Sequence, residues 1–280
     1  MSKNEKAVTY SSMLLKKSVA AVYETNTFNS FLKDILHPGG LELTRRVAEV
    51  AHIDENCKVL DIACGKGKGP LLLAEKFNCI VVGIDMSEKK ITLAQKIAKS
   101  RGLNNQVKFI ISDAEDLPFM DATFGVVLSE CSFSVLPNKN KAASEIKRVL
   151  KPGGRLVVTD IFLKKRTIGE FQNELAFGSD LLLPCIAGAK PIEDYVGIFK
   201  EAGLCHPFIE DHSIELKKLI FQMAITFGDW EEFLCRLSSE LSQGSSTKER
   251  KDFASSVKAY RKMFAQGEIG YTLIRFTKLK

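Results

Sequence analysis

The stretch Val59-Leu60-Asp61-Ile62-Ala63-Cys64-Gly65-Lys66-Gly67-Lys68-Gly69-Pro70 restricts the possible folds of this chain more than any other. Its aliphatic start reads as a buried strand, which breaks into alternating glycines and resumes at Leu71 as a helix with Pro70 in its first position. Glycines at 65 and 67 accept positive φ and carry no Cβ, and the helix start offers unpaired N–H groups, so a polar ligand can lie against the backbone.

The acidic residues narrow the ligand. A phosphate-binding loop needs Gly-Lys-Ser/Thr, whereas Lys68-Gly69-Pro70 lacks the hydroxyl and the N–H at position 70. A dinucleotide fingerprint spaces its glycines differently, and Asp61 would repel a pyrophosphate. A ligand with a cationic amino group suits Asp61 better. Cys79 to Asp85 forms a second apolar strand whose terminal acid can reach both hydroxyls of a ribose. Val107 to Ile111 is a third, with Asp113 expected at its tip.

Further along, Phe124–Ser129 and Arg155–Phe162 read as strands, with helices at Glu88–Ser100, capped by Ser87, and at Asn140–Leu150. Strands alternating with helices of this length predict an α/β, Rossmann-like, mostly parallel sheet with helices on both faces. In such sheets the ligand sits at the carboxyl ends of the strands, where Asp61, Asp85, Asp113 and Glu130 fall.

Before the sheet, 7–36 carries helical spacing in two short pieces, His37-Pro38-Gly39-Gly40 interrupts, and a helix runs from about Leu41 to Ala51. Beyond 163 the expected order is a helix over 168–183, a helix Ile192–Ala202, a strand near 206–211 and a helix Ile214–Phe227. Asp229 with Glu232 then reads as a capping box for a helix to about Ser242, followed by a loop at 243–246 and a helix to Phe264. A single domain is expected: a helical cap (1–46), the core (47–213), a helical insertion (214–266) and a final strand (267–280).

With 280 residues and 45% hydrophobic content the chain can bury one large core. Its net charge of +6 comes from 40 bases interspersed with 34 acids, so no basic stripe for nucleic acid stands out. No apolar run approaches the ~20 residues that span a bilayer. Met1 to Lys6 lacks a signal-peptide core, so a cytoplasmic protein without membrane partners is expected. The seven cysteines form no CxxC pair, and their odd number argues against a disulfide framework. Histidines at 37, 52, 206 and 212 have no metal-ligand spacing, so no metal is expected.

Four strings now stand in order: D-x-x-C-G-x-G-x-G at 61–69, V-G-I-D-M-S at 82–87, D-A-E-D-L-P-F at 113–119 and R-V-L-K-P-G-G-R-L at 148–156. Together they resemble the consecutive motifs of class I S-adenosylmethionine-dependent methyltransferases. The resemblance implies a seven-stranded sheet whose last strand, Ile269–Phe276, is antiparallel. It implies that Asp61, Gly65 and Gly67, with Ala63 beside them, hold the methionine end of the cofactor. Asp85 then takes the ribose hydroxyls, Met86 packs on adenine, and Asp113 with Ala114 reads the adenine edge. G-G-L-E-L-T at 39–44 resembles a segment beside the methionine moiety in phosphoethanolamine-type enzymes, which adds Gly39 and Gly40, and Tyr10 reaches the pocket from the first helix.

Methyl transfer from a sulfonium needs a lone pair held about 3 Å behind the methyl in a dry pocket. An ammonium or hydroxyl acceptor also needs a proton acceptor, for which Glu130 stands on the right edge; binding the cofactor's amino group is its other role. The strings around Cys131, Cys185 and Cys205 resemble segments of arsenite methyltransferases, which implies that Cys131 and Cys185 face the acceptor, although a further thiol of that family aligns with Pro70. The expected function is in-line methylation of a small soluble acceptor by a monomer or homodimer. Methylation of trivalent arsenic held by cysteine thiolates, methylation of a protein side chain, and cofactor binding without catalysis are the alternatives.

Overall fold

The computed structural model describes residues 15–31, 37–164, 184–228, 230–241, 262–264 and 266–280. Among the described residues eight strands form one sheet: β1 (Lys58–Ile62), β2 (Ile80–Asp85), β3 (Val107–Ile111), β4 (Phe124–Glu130), β5 (Leu150–Leu163), β6 (Lys190–Pro191), β7 (Leu204–Asp211) and β8 (Ile269–Lys278). Their order is β3-β2-β1-β4-β5-β8-β7, with β6 paired to β5 off that path. Strands β1 to β5 pair in parallel, while β8 runs antiparallel to both β5 and β7.

The central strands are apolar on both faces because helices cover both. Val59, Val81, Val126 and Val157 belong to one core. Leu60, Val82, Val127 and Leu156, each next to one of these in its strand, belong to the other. The registers Val59↔Val81, Val59↔Val126 and Val127↔Leu156 keep those rows aligned, and a slip by one residue in any strand would exchange its two faces. This alternation fixes which strand ends lie side by side, and therefore which acids meet.

Three differences from the expected elements have local causes. Helix Lys68–Phe77 starts three residues before Leu71 because Gly67, at φ +79°, provides the N-cap; Pro70 falls in the first turn, where a missing N–H costs no intrahelical bond. Strand β5 begins at Leu150, with Phe124 facing Leu150 and Val126 facing Arg155, so Lys151–Gly154 is accommodated as an irregularity of the ladder. The eighth strand, where seven were expected, is the two-residue β6 laid against the end of β5, too short to leave a period-two pattern in sequence.

At the amino end a helix covers 15–22 and another Asn26–Phe31, followed by the helix Gly40–Ala51. Helices Ser213–Phe227 and Trp230–Leu241 lie between β7 and β8. The expected helix over 168–183, the loop at 243–246 and most of the helix to Phe264 fall outside the described residues.

Helix Glu88–Ser100 is capped as expected: the Ser87 hydroxyl accepts from the Lys90 amide at 3.2 Å. Ser87→Ala should therefore lower the urea midpoint by an amount equivalent to about 1 kcal/mol with an unchanged slope. A shift near zero would count against the cap.

Candidate active site

At the carboxyl ends of β1, β2 and β4 the structure has a cleft walled by Asp61, Asp85, Glu130, Ala63, Gly65 and Met86, with Cys131, Ser132, Val135, Leu136 and Pro137 on one flank. Lys16, Val19, Ala20 and Tyr23 close it from the 15–22 helix and the turn after it. Strand pairing places Asp61 and Asp85 on adjacent strands, and β4 brings Glu130 up on the other side of β1.

Asp61 and Glu130 converge on the first turn of helix Lys68–Phe77. Their nearest oxygens lie 3.5 and 3.6 Å from where a Cβ on Gly69 would stand. Burial, then the charges of Glu130 and Asp85, pushes the Asp61 carboxyl well above the usual carboxylate range. Burial pushes Glu130 up as well, opposed by His37 and Thr44. The Thr44 hydroxyl sits 3.2 Å from both Glu130 oxygens. His37 Nδ1 lies 3.0 Å from the Pro38 carbonyl, leaving Nε2 3.2 Å from Thr44 Oγ1 and 3.3 Å from Glu130 Oε1. Two crowded, desolvated carboxyls favour a cationic guest, whose arrival offsets the cost of ionising them.

Asp85 is held by two amides: Gly65 N–H donates to Oδ2 and Ser87 N–H to Oδ1, each at 2.9 Å. Gly65, at φ +55°, has no atom within 4 Å of a built Cβ, so its backbone is open to the cleft.

Several expected site residues sit elsewhere. Gly67 turns away from the cleft, since a Cβ there would be 2.4 Å from Phe109 Cζ. Gly39 caps helix Gly40–Ala51 at φ +82°, and neither it nor Gly40 walls the cleft. Asp113 lies two residues beyond β3 rather than at its tip, and neither it nor the buried Ala114 lines the wall. Lys16 stands there instead, its ammonium donating to Asp113 Oδ2 and Glu115 Oε2, both at 2.7 Å. Tyr10 lies outside the described residues.

Cys185 is buried behind the wall, within hydrogen-bonding reach of Cys131. That contact and burial push the Cys131 thiol well up, which keeps it protonated. Among the described residues no cluster of three or more His, Cys, Asp or Glu suited to a metal ion is present.

Sequence reasoning missed Lys16, Tyr23, His37 and Thr44. Thr44 carried a signal, because it shares the buried face of its helix with Val47, Ala48 and Ala51 yet is polar. Lys16 carried none, since its partners are 97 and 99 residues away.

Comparisons with known proteins bear on the family and the fold. Residues 53–203 match a family model described as a methyltransferase domain. Methyltransferase GfsG of Streptomyces halstedii is 30% identical over 61% of this chain and 61% of its own length. Phosphoethanolamine N-methyltransferase 1 of Arabidopsis thaliana is 29% identical over 68% of this chain, which spans 37% of that relative. A phosphoethanolamine N-methyltransferase 2 of Haemonchus contortus, solved with phosphomonomethylethanolamine and S-adenosylhomocysteine, superposes with a TM-score of 0.73 at 18% identity, covering 95% of this chain and 60% of that one. The chain belongs to the methyltransferase domain family. It has the class I methyltransferase fold, and structural neighbours at 18% identity are solved with S-adenosylmethionine or S-adenosylhomocysteine. The residues fit that group: buried acids for its ammonium, a carboxylate at the tip of β2 for its ribose, and a bare turn beside them. Among the described residues no helix is long and apolar enough to cross a membrane.

Proposed function

We propose that the protein transfers the methyl group of S-adenosylmethionine to a small-molecule acceptor that enters between the 15–22 helix and the loop 131–137. The observation that carries this is the convergence of Asp61, Asp85 and Glu130 on one cleft beside the open backbone of Gly65. Asp61 and Glu130 receive the methionine ammonium and Asp85 the ribose hydroxyls. Val19, Ala20, Tyr23, Val135 and Leu136 give the acceptor an apolar, water-poor enclosure, as displacement at a sulfonium needs. The bound cofactor supplies the electrophilic carbon; the chain supplies alignment and a dry wall. The contact between the two thiols lowers Cys185 but holds Cys131 protonated, and no third metal-binding group joins them among the described residues, which leaves little to support a thiolate-held metalloid acceptor.

Calorimetry with S-adenosylmethionine, followed by a labelled-methyl assay over amines, phenols, alcohols and thiols, tests the proposal. Label in a small product is the expected result, whereas label confined to protein would favour side-chain methylation. Glu130→Gln separates the two roles of that residue. As the ammonium partner, its loss weakens cofactor binding by about tenfold or more. As a proton acceptor only, its loss lowers kcat and leaves cofactor affinity intact. The Thr44 and His37 contacts and the nearness of Asp61 favour the first outcome.

A further inference from the structure

The mechanism above makes no use of two charged groups behind the acceptor wall, the buried Asp160 and the half-buried Lys139. Asp160 on β5 is 1% exposed. Its Oδ2 accepts from the Ser134 amide and its Oδ1 from the Ile161 amide, both at 2.7 Å. Lys139, at the start of helix Lys139–Val149, folds back so that its ammonium donates to the carbonyls of Ser134 at 2.7 Å and Leu136 at 3.0 Å. Both charges therefore bind main chain of the loop 131–137, which gives the cleft Cys131, Ser132, Val135, Leu136 and Pro137.

The front of that loop is tied down by neutral bonds: the Cys131 amide donates to Thr159 O at 2.6 Å, and the Ser132 hydroxyl donates to Ile62 O at 3.3 Å. Gly188 packs directly on its middle, where a Cβ would fall 2.0 Å from Ser134 O. The segment is thus clamped from β5, from its own following helix and from the turn that carries Cys185.

We infer that Asp160 and Lys139 are positioning residues that hold the loop 131–137 in the shape of the acceptor subsite without touching acceptor or cofactor. The inference rests on the acceptor entering beside that loop, as proposed above. A buried carboxylate receiving two amides, and an ammonium spending its donors on carbonyls, fix main chain more firmly than neutral bonds do. The wall is then correct only while both are charged. Burial raises Asp160 to about 6, opposed by its bonds to Ser134 and Ile161 and by Lys139. Burial lowers Lys139 to about 8, with Lys190 adding to the shift while Asp160 and Glu115 oppose it. Tyr23, Tyr195, Tyr271, Cys131 and Cys185 also lie near Asp160. Acceptor binding should be tightest between the two values and weaken as pH falls through about 6, where Asp160 takes up a proton, or rises through about 8, where Lys139 loses one.

The test uses the full chain. Asparagine at 160 sets an N–H against one of the two amides, so Asp160→Asn should speed hydrogen exchange at the Ser134 amide at least tenfold. The Cys64 amide, bonded to Ile84 O across β1 and β2, should be unchanged, and S-adenosylmethionine affinity should stay within twofold. With an acceptor from the methyl-transfer screen, KM should rise at least tenfold, kcat should change less than threefold, and the acidic limb of the KM profile should vanish. Lys139→Met, which keeps the aliphatic stem, should remove the basic limb and serves if Asp160→Asn fails to fold. Unchanged Ser134 exchange in both variants overturns the inference. So does a loss of kcat at constant KM, which would make Asp160 a group acting on the acceptor itself. If no acceptor turns over in the unaltered protein, the proposed function fails, while the exchange result still decides whether the clamp exists.

Discussion

Asp61→Asn is expected to weaken S-adenosylmethionine binding by at least about thirtyfold and, at the same time, to raise the melting temperature of the empty protein. Truncating one partner of a buried, hydrogen-bonded charge pair costs on the order of 2 kcal/mol or more, and each 1.4 kcal/mol is a factor of ten. The gain in stability follows from burial beside Glu130 and Asp85, which holds the folded-state pKa of Asp61 well above that of the unfolded chain. Below the unfolded value both states are protonated and nothing is lost. As pH rises through the gap the unfolded chain ionises first, so Asp61 subtracts from stability at neutral pH. A neutral amide removes that penalty.

The same sign governs binding. Where Asp61 is protonated in the empty cleft, a cationic ligand binds by expelling a proton, so affinity falls as pH drops. Calorimetry in two buffers of different ionisation enthalpy should register proton release, and thermal scans with and without ligand should show the variant melting higher when empty but gaining little from the cofactor. A variant that melts lower when empty, with unchanged affinity, would mean that Asp61 is a structural acid and the ammonium binds elsewhere.

Much of this site was readable because it is built from local rules. A strand ending in glycines, acids at the tips of β1 and β2, and Ser87 ahead of its helix all express constraints within a few residues of one another. The parallel register then brought Asp61, Asp85 and Glu130 together without further information. What escaped the sequence is non-local. The contact of Lys16 with Asp113 and Glu115 joins segments 97 and 99 residues apart, and nothing in the spacing of either partner hints at the other. Glu115 also accepts from the Asn138 amide at 2.8 Å, so one acid joins the 15–22 helix to the end of the acceptor loop. His37 was read as part of a chain break, which it is, but the ring folds back over Glu130 because Gly39 lets the chain turn at φ +82°. The sequence invited one explanation for Gly65 and Gly67, whereas each of the alternating glycines answers to a different neighbour: open cleft at Gly65, the Phe109 ring at Gly67, two carboxyl groups at Gly69.

That division gives the largest expected effect on folding. Gly67→Ala should destabilise the protein by about 3 kcal/mol, because an L-residue in the left-handed region costs roughly 1–2 kcal/mol and overpacking a filled core roughly 1–3 more. The new methyl would meet Phe109 at 2.4 and 2.7 Å and Ala94 Cβ at 3.0 Å, and Phe109 is itself buried in the core with its ring against Gly83. Gly65→Ala carries a comparable φ of +55° but meets nothing, so it should cost only the backbone term, about 1 kcal/mol, while its methyl enters the space of the cofactor. Urea unfolding and S-adenosylmethionine calorimetry on both variants should therefore give opposite rankings. Gly67→Ala should lose most stability and bind normally in whatever fraction stays folded, whereas Gly65→Ala should fold nearly as well as the unaltered chain and bind poorly. Equal losses on both scales would mean that the turn acts as one rigid unit, and that the assignment of Gly67 to packing and Gly65 to the ligand is wrong.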